Sequence, residues 1–261
     1  MPLEKYIPQT VLITGATGDF GKAFAQRFAA LGSKVILIGR NREKLESLQN
    51  ELEATTHIAA FDMKDKEGMS EAISNLPEEF KNIDLLINNA GLALGLDPAY
   101  KCEIEDWETM IAVNNTALVQ MTRLILPVMV ANQKGHIINI GSIAGNYYYP
   151  GGNVYCASKA FVKQFSMCLR ADLTGTKVRV TNIEPGAIKT QFSEVRFKGD
   201  KARADAVYAN TNNMTAEDVA EAVTWSACLP PHFNVNRMEI MATVQSFGPL
   251  TMERFDEGQE L

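Results

Sequence analysis

Six short apolar runs alternate with stretches of helical periodicity, and this alternation constrains the fold more than any other feature of the chain. The runs are TVLIT (10–14), KVILIG (34–39), HIAAFD (57–62), IDLLIN (83–88), HIINIG (136–141) and KVRVTNI (177–183). Most are nearly continuous in Val, Ile and Leu, as expected of strands covered on both faces. RMEIMATV (237–244) is a weaker seventh, and segments 20–31, 42–54, 65–75, 104–131, 153–173 and 215–228 read as helices. Repeated strand–helix–strand units predict an α/β fold: a doubly wound, Rossmann-type parallel sheet of about seven strands, helices on both faces, joined by right-handed crossovers.

With 261 residues, 46% of them hydrophobic, length alone permits one or two domains. No Pro/Gly/Ser-rich linker, repeat or low-complexity tract divides the chain, so one domain over 1–261 is expected. Segment 189–214 is a long connection without clear strand signal. It ends at Thr215, which reads as a helix N-cap with Asp218 three residues on. A connection of this length in an α/β domain predicts a substrate lid. Residues 246–261 read as a polar C-terminal tail.

The formal charge of −6, with no Lys/Arg run, argues against nucleic acid or an anionic membrane as partner. The N-terminal stretch has no apolar signal core and no apolar run approaches membrane-spanning length, which predicts a soluble, cytoplasmic protein. Cys102, Cys156, Cys168 and Cys228 form no C-x-x-C pair, and His57, His136 and His232 show no ligand spacing. Neither a disulfide framework nor a metal site is expected.

The chemistry-bearing motifs fall at the ends of the predicted strands. VLITGATGDFGKAF (11–24) reads as strand, glycine turn and helix start, with Gly15, Gly18 and Gly21 three apart. Such a turn sets a pyrophosphate against a helix N-terminus, although by itself it fits a plain tight turn as well. The second strand ends in IGRNR. Arg40 and Arg42 stand where an acidic residue would accept from a ribose 2′-hydroxyl, and a guanidinium there suits a 2′-phosphate. The alternative is an ordinary helix-start arginine. Asp62 ends the third strand, where an adenine amino group could be met, and NNAG (88–91) ends the fourth.

Tyr155 and Lys159 lie four apart in NVYCASKAF and so share one helix face. An ammonium beside a phenol stabilises phenolate and lowers its pKa. Ser142 follows the fifth strand, thirteen residues before Tyr155, close enough for a loop to return its hydroxyl above the tyrosine.

Together these features resemble the short-chain dehydrogenase/reductase family across about residues 9 to 245. The motifs are TGATGDFG (14–21), NNAG (88–91), VNN (113–115), GS (141–142), YCASK (155–159) and EPGAIKT (184–190). The resemblance implies that Tyr155 is the general acid/base, that Lys159 holds the nicotinamide ribose and tunes Tyr155, and that Ser142 orients the substrate oxygen. Asn114 matches the asparagine that supports a proton-relay water. Helix packing is its alternative role, and Asn115 next door blurs the assignment. Cofactor positions implied in the same way are Gly15, Thr17, Asp19, Phe20, Gly21, Arg40, Asp62, Asn89, Ala90, Gly91, Tyr155, Lys159, Pro185, Gly186, Ile188 and Thr190.

Within the family, LPEEFKNIDLLINNAGLALG (76–95), IINIGSIAGNYYYPGGNVY (137–155) and FSEVRFKGD (192–200) are similar to the NADP-dependent 3-hydroxy acid dehydrogenases. That likeness implies NADP as cofactor, a small carboxylate-bearing hydroxy or oxo substrate of the serine, allo-threonine or 3-hydroxypropionate type, and a homotetramer. A carboxylate calls for a cation. Arg196, in the expected lid, is the candidate, with Lys189 and Lys198 as competitors.

One departure stands out. The family pattern T-G-x-x-x-G-x-G places a glycine at position 19, where this chain has Asp19. Either Asp19 points outward, capping the helix or pairing with Lys22, or it faces the pyrophosphate and weakens cofactor binding. The outward orientation is expected. Two other readings of the whole chain are a broad-specificity NADPH-dependent carbonyl reductase and a catalytically weak nucleotide-binding regulatory protein.

Overall fold

Alternation of side chains along each strand divides the interior into two cores, one on each face of a single sheet. In β1 (Thr10–Thr14), Val11 and Ile13 face one layer and Leu12 the other. A computed structural model describes residues 6–209 and 211–247. Its remaining strands are β2 (Lys34–Gly39), β3 (Thr56–Ala60), β4 (Leu85–Asn88), β5 (Gly135–Ile140), β6 (Val178–Pro185) and β7 (Arg237–Ile240). All pair in parallel, in the order β3-β2-β1-β4-β5-β6-β7.

On one face, α1 (Asp19–Ala30) and α9 (Ala216–Ala227) pack Phe24, Phe28, Val219 and Val223 against the sheet. On the other lie α3 (Lys66–Ser74), α5 (Leu118–Ala131) and α6 (Asn153–Asp172), contributing Met69, Met121, Ile125 and Leu169. The peripheral helices are α2 (Arg42–Glu51) and α4 (Ile104–Ile111). Thr215 caps α9 with a complete capping box to Asp218, as its spacing predicts.

The strand order reverses between β1 and β4. A crevice at the carboxyl ends of strands, at such a switch point, is where open α/β sheets take their ligands. Beneath that edge, Asn88, Asn139 and Asn182 lie in register across β4, β5 and β6. Asn88 Nδ2 donates to Asn139 Oδ1 at 2.9 Å, and Asn139 Nδ2 donates to Ser166 Oγ of α6 at 2.8 Å. These buried amides tie the sheet end to the helix above it.

Several expectations are corrected in detail. β3 stops at Ala60, so Phe61 and Asp62 lie beyond the strand, and β6 runs on to Pro185. The helix expected over 104–131 is α4 and α5 joined by a π-helical stretch, Ala112–Ala117. Segment 189–214 is not plain loop. It carries α7 (Phe192–Arg196) and α8 (Lys201–Ala206). Of the expected polar tail, residues 248–261 lie outside the described residues, and Phe247 packs its ring 4.7 Å from that of Tyr147.

Candidate active site

The glycine turn is built by exclusion. Gly15 has φ +65°, and a Cβ there would lie 3.0 Å from the Ala90 Cα. At Gly21 a Cβ would lie 2.6 Å from the Ala16 Cα, whereas at Gly18 the nearest atom would be 3.6 Å away. Gly15 and Gly21 are thus sterically required, and Gly18 is not. Gly18 is the N-cap of α1 and provides no side-chain cap. The first-turn N–H groups are left for a ligand, the ordinary anion site of a helix N-terminus. Thr17 and Phe20 flank this turn, and Phe20 packs 6.0 Å from Phe24.

Asp19 does neither of the things expected of an outward residue. Lys22 pairs with Glu51 at 2.8 Å, and no side chain caps α1. Instead Asp19 Oδ2 accepts from the Gln191 N–H at 2.7 Å, reaching the start of α7.

Thr14 joins the ends of β1 and β4. Its Oγ1 accepts from Asn89 N and Ala90 N, both at 3.0 Å, while Asn89 Nδ2 donates to the carbonyls of Thr14 and Gly15. This knot lays Asn89, Ala90 and Gly91 across the crevice. A Cβ at Gly91 would come within 3.3 Å of Asn114 Oδ1 and 3.4 Å of Lys159 Nζ, so three of the expected residues converge there.

Arg40 is exposed at the end of β2 and makes no hydrogen bond or ion pair among the described residues. Arg42 lies 3.8 Å from Glu46, so Arg40 is the more available cation. Asp62 Oδ1 accepts from Lys64 N at 2.9 Å. On the far side, Gly186 N donates to Ile240 O at 2.8 Å, Ile188 bridges to Met214, and Thr190 Oγ1 accepts from Phe192 N. Pro185, Gly186, Ile188 and Thr190 therefore line the path from β6 into α7.

The catalytic candidates gather between β5 and α6. Ser142 caps the turn Ile143–Gly145 by accepting from Ala144 N at 3.1 Å. Tyr155 is 8% exposed. Burial pushes its phenol above 10.0, while hydrogen bonding with Ser142 and the charge of Arg196 pull it back. Lys159 Nζ donates to the Ile140 carbonyl at 2.8 Å and lies 6.0 Å from the centre of the Tyr155 ring. Burial pushes this lysine from 10.5 down to about 8. In the free protein burial is thus the largest influence on the phenol, and Lys159, 6.0 Å from the ring centre, gives its hydrogen bond to the Ile140 carbonyl.

Asn114 sits in the π-helical stretch, a break often found at functional sites. Its Oδ1 accepts from Leu92 N at 2.8 Å, and its Nδ2 donates to Leu92 O at 2.9 Å and Ser158 Oγ at 3.0 Å. The side chain is wholly engaged in pinning the stretch after β4. Asn115 donates to Ser158 O at 2.9 Å. Both asparagines bind α6, but only Asn114 reaches the crevice.

Arg196, at the end of α7, packs onto the same tyrosine. Its guanidinium carbon lies 5.0 Å from the Tyr155 ring centre, 5.1 Å from Phe192 and 5.7 Å from Tyr149. Nη2 donates to Tyr149 Oη at 2.9 Å, and buried Nε has no partner among the described residues. Its competitors are elsewhere: Lys198 pairs with Asp106 at 2.8 Å, and Lys189 is exposed. Tyr149 and Phe192, which form this aromatic wall, lie inside the quoted stretches 137–155 and 192–200, but no spacing marks them as partners of Arg196. Thr14 and Ser158 stand inside quoted motifs, yet their structural roles were not read from them.

A switch-point crevice with a glycine cradle, and a serine–tyrosine–lysine cluster beside it with the tyrosine and lysine buried, define a nucleotide-dependent oxidoreductase. The short chain dehydrogenase family model matches residues 9–201, and the chain belongs to that family. It is 54% identical over 245 residues to the NADP-dependent 3-hydroxy acid dehydrogenase YdfG of Escherichia coli (strain K12), covering 94% of this chain and 99% of that protein. It is 47% identical to the serine 3-dehydrogenase of Rhizobium radiobacter, covering 94% and 98% respectively. A solved structure described as the closed form of serine dehydrogenase complexed with NADP+ superimposes with a TM-score of 0.92 at 53% identity, covering 94% of this chain and all of that one. Among the described residues no helix is long and apolar enough to cross a membrane.

Proposed function

We propose that the chain is an NADP-dependent dehydrogenase of small 3-hydroxy acids, of the serine, allo-threonine or 3-hydroxypropionate type. The observation that carries this reading is Arg196, a half-buried cation 5.0 Å from the Tyr155 ring whose buried Nε has no partner among the described residues. A C3 hydroxyl meeting Tyr155 and Ser142 leaves its C1 carboxylate within reach of that guanidinium, which offers paired donors to a planar anion. Relatives with this activity in their names support the same assignment.

The cradle of Gly15, Gly21 and Gly91 fits a dinucleotide, because at each a methyl group would intrude on the backbone or on Asn114 and Lys159. Arg40 would hold the 2′-phosphate, and Pro185, Gly186, Ile188 and Thr190 the nicotinamide end. NADP, when bound, supplies the hydride acceptor or donor. The chain's residues do the rest. Ser142 holds the substrate oxygen and Tyr155 moves its proton. Lys159 would hold the ribose, its ammonium then leaving Ile140 or sharing it. Asn114 fixes the floor at Leu92. Segment 189–214 acts as the lid that brings Arg196 down and keeps water out.

The protein works in the cytoplasm as a homotetramer on this reading. Exposed Ile111, Val128, Phe161 and Met167 on α4, α5 and α6 support burial against other copies.

The test is turnover of L-serine, L-allo-threonine and 3-hydroxypropionate with NADP and with NAD, read as absorbance of the reduced cofactor. Oxidation of at least one acid, faster with NADP, is expected. Turnover only of neutral carbonyl compounds would support the broad-specificity reductase instead.

A further inference from the structure

Asp19 and Gln191 are separated by 172 residues, yet the carboxylate of one accepts from the backbone N–H of the other at 2.7 Å. The contact joins two elements with different duties. Asp19 is the first residue of α1, at the phosphate turn, and Gln191 is the N-cap of α7. Among the described residues no cation pairs with the carboxylate; Lys22, one turn along, is held by Glu51 at 2.8 Å. The carboxylate serves no cap of its own helix.

Helix α7 is short, and Arg196 stands at its other end, five residues beyond Gln191. At 1.5 Å of rise per residue, displacing the first turn of so short a helix moves its last residue with it. The far end is fastened through the backbone, Gly95 N donating to Arg196 O at 2.9 Å. The near end is fastened by a side chain, that of Asp19. The body thus grips α7 at both ends, the near one through the Asp19 carboxylate and the far one through Gly95 N and through Arg196 itself, whose Nη2 donates to Tyr149 Oη at 2.9 Å. A glycine at position 19, as in the family pattern, offers no acceptor.

We infer that Asp19 is a positioning residue that latches α7 to the nucleotide turn and thereby sets Arg196 against Tyr155. This rests on the reading of 189–214 as a lid and of Arg196 as the carboxylate anchor. The latch also accounts for a carboxylate beside a phosphate site: its charge is directed to a lid N–H.

The test uses the full chain as wild type, Asp19→Ala and Asp19→Asn. Asparagine keeps a side-chain oxygen able to accept from Gln191 without the charge. Limited trypsin digestion reads cleavage within 189–203, which holds Lys189, Arg196, Lys198, Lys201 and Arg203. Loss of a charge-assisted hydrogen bond shifts such an opening equilibrium by about tenfold. Asp19→Ala should therefore be cut about tenfold faster, and its KM for 3-hydroxypropionate should rise roughly five- to tenfold. Asp19→Asn should recover most of both, and the Kd of NADP should move by less than about threefold in either variant. Unchanged cleavage in Asp19→Ala would overturn the latch, as would an Asn variant no better than Ala. So would NADP binding tightened about tenfold in a salt-dependent way, because the carboxylate would then be acting on the phosphates. Digestion needs no substrate, so it judges the latch even if the 3-hydroxy acids prove not to be turned over.

Discussion

The Arg196 guanidinium carbon lies 5.0 Å from the centre of the Tyr155 ring. A permanent cation and the candidate proton-transfer group therefore share one wall of the crevice. The cation favours phenolate and burial opposes it, with burial the larger effect. The phenol is consequently protonated at neutral pH in the free protein, ready to donate in carbonyl reduction. In the oxidative direction the same group must first lose its proton. The rate of alcohol oxidation should accordingly climb with pH through the alkaline range, while carbonyl reduction should not. Initial rates in both directions between pH 6 and 10 check this. Parallel profiles would point to a different acid/base.

Tyr155→Phe keeps the ring and its packing and removes the transferable proton. Turnover should fall by about 10²–10⁴, with little change in NADP affinity. Single-turnover rates and a cofactor titration separate the two effects. Near-full turnover would remove Tyr155 from its assigned role.

Buried Lys159 carries a cost that depends on pH. Its ammonium is pushed from 10.5 to about 8 by burial, so the unfolded chain holds this proton more tightly than the native one. Below about pH 8 the group is charged in both states and the whole penalty stands. Between about 8 and 10.5 the unfolded state binds more protons, and native stability gains as pH rises. The full penalty is on the order of 3 kcal/mol. Lys159→Met should therefore raise the melting temperature at pH 7 while abolishing activity, and its advantage over wild type should shrink by pH 9.5. Thermal melts of the two proteins at both pH values test the sign. An advantage that grows with pH would contradict it.

The parallel sheet and most element boundaries were legible because continuous Val/Ile/Leu runs and helical periodicity are local signals; the strand order was not read from them. The Ser142, Tyr155 and Lys159 cluster was legible because its spacing on one helix and one loop survives folding. What could not be read is long-range. Phe192 and Tyr149 meet Arg196 only because α7 folds back over α6, and no spacing encodes that. Asn114 could be placed at the crevice, but its complete engagement with Leu92 and Ser158 depends on the π-helical stretch, whose apolar pattern looks like ordinary helix. Asp19 looked local, a helix-start acid beside Lys22. Its partner instead arrives from 172 residues away.

The glycine turn yields a contrast. A methyl group at Gly21 would lie 2.6 Å from the Ala16 Cα, whereas at Gly18 the nearest atom is 3.6 Å away. Gly21→Ala should cost about 1–3 kcal/mol through overpacking and impair NADP binding. Gly18→Ala should stay within about 0.5 kcal/mol of wild type. Denaturant unfolding of both variants decides. Equal effects would mean that the turn adjusts in a way its packing does not indicate.

Among the described residues Arg40, at the end of β2, has no partner, and Arg42 already faces Glu46 at 3.8 Å. Arg40→Asp should lower the NADP-to-NAD preference by at least about tenfold, as a charge-assisted contact is replaced by repulsion. The ratio of kcat/KM for the two cofactors measures it. An unchanged ratio, with loss in Arg42→Asp instead, would move the role by two residues.

The central claim is that Arg196 selects a carboxylate-bearing substrate, and one comparison isolates it. 3-Hydroxypropionate and its amide, 3-hydroxypropionamide, have nearly the same shape and differ in charge. In the wild type, kcat/KM for the acid should exceed that for the amide by about 10- to 100-fold, the worth of one charged hydrogen-bonded contact. In Arg196→Leu the acid should lose that factor through KM while the amide changes little, bringing the ratio near one. A ratio that persists in the Leu variant, or equal losses for acid and amide, would contradict the account.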